Sequence, residues 1–85
     1  MSTYDFMVAA KKAVADFLCK HHHKPVEWTD VFVVWQCKVL QNQKVILAAP
    51  TPDQLLFEAT YNGDKQQMYL DVYDKLENIC IDMAE

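Results

Sequence analysis

Val31-Phe32-Val33-Val34-Trp35-Gln36-Cys37-Lys38-Val39-Leu40 is the stretch on which the fold turns. Valine, phenylalanine and tryptophan favour a pleated, half-buried surface over a helix. Side chains alternate across a strand, so every second residue shares a face. The odd positions (Val31, Val33, Trp35, Cys37, Val39) are wholly apolar. The even positions (Phe32, Val34, Gln36, Lys38, Leu40) are mixed. The odd face is therefore expected to meet the core, and Phe32 and Val34 to look away from it.

The neighbouring segments take their reading from this strand. Gln41-Asn42-Gln43 is a polar break of hairpin length, and Asn42 suits a positive φ. A second strand is expected at Lys44–Ala49. Pro50-Thr51-Pro52-Asp53 then forces a turn, since proline cannot donate to a ladder. A third strand follows at Leu55–Tyr61, with Leu55, Phe57, Ala59 and Tyr61 on one face.

Helices are expected at both ends. From Thr3 to His22, Phe6, Ala10, Ala13, Val14, Phe17 and Leu18 recur at three- and four-residue steps. Ser2 or Thr3 can cap the first amides, and Pro25 forbids continuation. Asn62-Gly63-Asp64 reads as strand end and helix start, with Asp64 as N-cap and Gln67 three residues on. Met68, Val72, Leu76, Ile79, Cys80 and Met83 would mark that helix's buried stripe, with Asp71 and Asp74 on its solvated side. The expected fold class is α+β. Its order is α-β-β-β-α: a three-stranded antiparallel meander with two helices packed on one face. Residues 1–85 form a single domain.

Composition excludes several roles. The 85 residues hold 8 lysines, no arginine and 12 acids, for a net charge of −4. Nucleic-acid binders carry a basic stripe in which arginine is the preferred fork for phosphate, so nucleic acid is an unfavoured partner. Anionic lipid is disfavoured on the same ground. No apolar run approaches the roughly 20 residues that span a bilayer, and charges from Asp5 to Asp16 break any signal-peptide core. The three cysteines, Cys19, Cys37 and Cys80, form no CxxC pair, and read as free core thiols in a reducing cytosol. A single glycine rules out a Gly-rich phosphate loop.

The chemistry-bearing motifs are weak. His21-His22-His23 matches no zinc-ligand spacing, and adjacent helical residues point about 100° apart. Basic side chains closing a helix C-terminus are the simpler account, so no metal and no cofactor is expected. No nucleophile elbow, Walker loop or dinucleotide fingerprint occurs. An enzyme is not expected, nor is a small-molecule substrate evident. The α-β-β-β-α order resembles that of double-stranded-RNA-binding domains. However, only Lys65 stands where such domains need a lysine cluster.

The informative oddity is the sheet face turned away from the helices. Phe32, Val34 and Leu56 would sit there, joined by Ile46 if the second strand keeps its phase. Exposed apolar patches of this kind mark contact surfaces. Gln36, Lys38 and Lys44 would form their polar rim. These six residues (Phe32, Val34, Gln36, Lys38, Lys44 and Leu56) are the expected partner-binding set. The segment Lys24–Thr29, with Val26 and Trp28, could instead fold across part of that face.

Two longer strings carry a resemblance. Asp30-Val31-Phe32-Val33-Val34-Trp35-Gln36-Cys37-Lys38-Val39-Leu40-Gln41-Asn42 is the first. The second is Tyr61-Asn62-Gly63-Asp64-Lys65-Gln66-Gln67-Met68-Tyr69-Leu70-Asp71-Val72-Tyr73. Together with Lys44, Lys75, Glu77 and Asn78, they resemble a family of small proteins of unknown function from phages and prophages of Gram-positive bacteria. Asp74 departs from the lysine expected there. The resemblance implies action in the cytoplasm of a bacterial host and carries no known activity or site. The expected function is a non-enzymatic interaction module that docks its outer sheet face on a second copy or on a host or phage protein. The rivals are a nucleic-acid-binding domain and a small acidic inhibitor of a host defence protein.

Overall fold

The computed structural model describes residues 2–21, 25–52, 55–74, 77 and 79–83. A 19-residue helix, α1 (Thr3–His21), is followed by a single 3-10 turn at Trp28–Asp30. Four strands come next: β1 (Phe32–Val39), β2 (Asn42–Ala48), β3 (Leu56–Asn62) and β4 (Gln67–Tyr73). They form one antiparallel sheet in the order β1-β2-β3-β4.

α1 begins where the sequence placed it. The Ser2 hydroxyl accepts a hydrogen bond from the Asp5 amide at 3.0 Å, and Phe6 N–H donates to the Ser2 carbonyl at 3.0 Å. Phe6, Ala10, Val14 and Leu18, each four residues apart, are buried with Ala15. They pack on Val45 and Leu47 of β2 and Phe57, Ala59 and Tyr61 of β3. The Phe6 and Tyr61 rings lie 6.0 Å apart, and Phe17 meets the Phe57 ring edge-on at 5.9 Å. Each strand residue in that list has an odd number, so the expected phases of β2 and β3 hold.

The second helix is absent: residues 67–73 form β4 instead, and the three-stranded, two-helix architecture gives way to α-β-β-β-β. The local chemistry explains the difference. A helix start and a tight turn use the same first step, a side-chain oxygen accepting from amides two and three residues on. Here that oxygen is Asn62 Oδ1, which accepts from Asp64 N–H at 3.1 Å and Lys65 N–H at 3.2 Å. Gln66 then takes a positive φ of 51°, which no right-handed helix continues. The chain folds back, pairing Gln67 with Asn62 and Val72 with Phe57. Met68 and Val72 fit a period of four or of two; Leu70 between them fits only two. Beyond Tyr73 the described residues form no helix, and Ile79, Ile81 and Met83 are exposed.

A second correction lies inside β1. Phe32 faces Ala48 and Val33 faces Leu47, but Trp35, not Val34, faces Ile46. Val34 is thus the extra residue of a β-bulge, and the alternation restarts one residue late. Val31 is buried and Val33 partly so, as expected, while Trp35, Cys37 and Val39 turn outward and are exposed. The expectation that Trp35, Cys37 and Val39 belong to the core is overturned. Cys19 and Cys80 are exposed as well, so none of the three thiols is a core residue. The β1–β2 turn also differs in detail: the positive φ, 57°, falls on Leu40 instead of Asn42.

The segment before β1 stays on the helix side. Val26 and Trp28 pack against the core, and Lys12 of α1 lies with its ammonium 5.5 Å from the centre of the Trp28 ring. Asp30 accepts from the Glu27 amide at 3.3 Å, which fixes the corner leading into Val31. Val26 and Trp28 therefore do not cover the outer sheet face; Lys24 lies outside the described residues.

Candidate docking face

Antiparallel partners share a face, so the registers assign the outer surface residue by residue. One row runs Trp35, Ile46, Glu58, Asp71; the next runs Cys37, Lys44, Thr60, Tyr69. Phe32 stands beside Ala48 at one end, and Leu56 beside Tyr73. Across the short axis the protein measures 18 Å, which is the depth of one helix layer on one sheet. α1 occupies one side, and no other helix or strand among the described residues packs on the other.

Six large side chains on this face, and Val34 at the bulge beside them, remain between 41% and 61% exposed: Phe32, Val34, Trp35, Val39, Leu56, Tyr69 and Tyr73. Four are aromatic, the type enriched at the centres of protein interfaces. Beside Trp35 the face dips into an open depression of about 240 Å³, lined by Trp35, Cys37, Val39, Lys44 and Thr60. Its exposed lining is almost wholly apolar, and it has room for one aromatic side chain. The charged residues on the strand rows of this face are Lys44, Glu58 and Asp71. Lys44 bridges to Glu58 at 3.5 Å, with Asp71 opposite Glu58 on β4. The two acids thus lie on β3 and β4 and the lysine on β2, while exposed apolar side chains are found on β1, β3 and β4.

The expected partner-binding residues divide. Phe32, Lys44 and Leu56 lie on the outer face, and Val34 is exposed at the bulge. Gln36 and Lys38 pair with Val45 and Gln43, on the helix side of the sheet. There they border a cavity of about 130 Å³ beyond the start of α1, with Thr3, Phe6 and Gln43. The bulge is the cause: it moves every β1 residue after Val34 to the opposite face. Sequence reasoning missed Trp35, Tyr69 and Tyr73 on the outer face. For the tyrosines a signal existed, the alternation of Gln67, Tyr69, Asp71 and Tyr73 with Met68, Leu70 and Val72.

Other expected features resolve more simply. The helix that would carry RNA-gripping lysines is replaced by β4, which removes the topological likeness to double-stranded-RNA-binding domains. His21 stacks on Phe17 with ring centres 4.7 Å apart; His22 and His23 lie outside the described residues. Among the described residues no three His, Cys, Asp or Glu side chains are grouped to hold a metal. No described helix is long and apolar enough to cross a membrane.

A family of unknown function (DUF6275) matches residues 7–83, almost the whole chain. The protein belongs to that family. Comparison with curated proteins and with solved structures found no match to either.

Proposed function

We propose that this DUF6275 protein is a non-enzymatic interaction module that docks through the outer face of its sheet. The observation that carries the proposal is the aromatic-rich surface opposite α1, where seven large apolar side chains stay about half exposed. Monomers seldom leave apolar patches beyond roughly 300–600 Å² without a use for them. Seven side chains of about 150–250 Å² each, about half exposed, amount to roughly 700 Å². At about 25 cal/mol per Å², covering that area is worth many kcal/mol before the cost of association is deducted. The partner is a protein, since the face carries one lysine against two carboxylates and offers phosphate nothing to grip.

The biological setting we propose is that of a phage or prophage accessory protein acting in the cytoplasm of a Gram-positive host. The two strings around Trp35 and Tyr69 support it through their resemblance to phage and prophage proteins. A coding sequence lodged among housekeeping genes, far from any phage gene, would remove that part.

The docking role is tested by photo-crosslinking in cells that make the protein. A benzophenone side chain replaces Phe32 in one sample and Tyr4, exposed on α1, in another. Adducts are expected from position 32 and not from position 4. Equal labelling from both, or none from position 32, refutes docking through this face.

A further inference from the structure

We propose that the occupant of the outer face is a second copy of the same chain, giving a twofold dimer with the two sheets packed face to face. The proposal rests on the docking role above and names its partner. Three observations lead to it. The first is area. The roughly 700 Å² estimated for the seven side chains is close to the about 800 Å² each partner contributes to a standard interface.

The second is charge. A chain of net charge −4 would favour a basic partner, yet this face is close to neutral, and its acids are gathered on the β3–β4 side. It offers a charged partner little steering. The surface that matches it in apolarity, charge and size is the same face on another copy.

The third is geometry. A twofold axis running along the strands over the middle of the sheet, between β2 and β3, lays β1 and β2 of each copy on β4 and β3 of the other, so that all seven side chains are covered. Phe32 then comes over Tyr73 of the second copy, and the depression beside Trp35 over its Tyr69 ring. Lys44 and Glu58 are covered as a bridged pair, and Asp71 stays toward the edge on β4. Sheets pack about 10 Å apart in this way, so two half-sandwiches become a four-layer α/β/β/α particle. Gln36 and Lys38, on the helix side, take no part.

Sedimentation equilibrium of the purified full chain from 1 to 500 µM tests this. The weight-average mass is expected to rise from 9.9 kDa toward twice that value. Trp35→Asp and Phe32→Asp, both at surface positions, should each weaken the dimer at least tenfold while circular dichroism stays unchanged. Lys38→Glu should leave it intact. Alkylation of Cys37 should slow in the dimer relative to Cys19 and recover in the Trp35→Asp chain. A monomer throughout the range overturns the proposal, as does a dimer indifferent to both aspartates. A solution monomer whose position 32 still crosslinks to other proteins in cells overturns the second copy alone. A monomer without those crosslinks overturns the docking role too.

Discussion

Gly63 shows how one residue ties two hairpins together. A Cβ built there would collide with the Gln41 carbonyl oxygen and approach the Gln41 Cβ to 2.6 Å. The neighbour is backbone, which cannot swing aside. The Gly63 amide also donates to Asn42 Oδ1 at 3.3 Å, so the β1–β2 and β3–β4 turns touch at this point. Gly63→Ala is expected to cost about 1–3 kcal/mol of stability by overpacking, read as a lower urea midpoint. Leu40 is the converse case. Its positive φ carries a penalty of about 1 kcal/mol for a residue with a Cβ, and its side chain is exposed and packs on little. Leu40→Gly should therefore raise the urea midpoint, by up to about 1 kcal/mol in stability. A fall would mean that the leucine side chain contributes a contact.

At the scale of elements, β4 and the bulge in β1 decide what the protein presents. With α1 as the one long helix described, 19 of 85 residues, or a little over a fifth, are α-helical. Far-ultraviolet circular dichroism should return about that fraction; a second helix over residues 64–83 would double it. The bulge separates neighbours that plain alternation would group. It sends Trp35 out and sets Gln36 and Lys38 on the helix side. The different fates expected for Trp35→Asp and Lys38→Glu in sedimentation are a direct consequence. Were the strand regular, with Trp35 inward, Trp35→Asp would unfold the chain and Lys38→Glu would disturb the dimer.

For the whole molecule, the unequal treatment of the two sheet faces is the central physical fact. One helix seals one face around Phe6, Val14, Leu18, Val45, Leu47 and Phe57, each at most 2% exposed. Loss of packing there is costly: Leu47→Ala should lower stability by about 2–5 kcal/mol, measured by urea denaturation. Among the described residues no second helix or sheet packs on the opposite face. That is why the substitutions proposed at Phe32 and Trp35 are expected to change association without changing the fold.

α1 and the phases of β2 and β3 were readable because their patterns are local and repeat at one period: Phe6 to Leu18 at four, Val45 to Tyr61 at two. The outward placing of Phe32 and Leu56 followed from the same rule. β4 was not read as a strand because Asn62, Gly63 and Asp64 begin a turn and a helix alike. The choice fell to Gln66 taking a left-handed conformation and to Leu70 and Val72 finding the edge of β3. The bulge left no local mark, since Val33, Val34 and Trp35 suit either face equally. Its position depends on which residue meets Ile46 across the sheet. Local propensity thus determined which segments were ordered and which side chains needed cover. Pairing between distant strands decided where Trp35, Gln36 and Lys38 point, because hydrogen-bond register belongs to two strands at once and is written in neither.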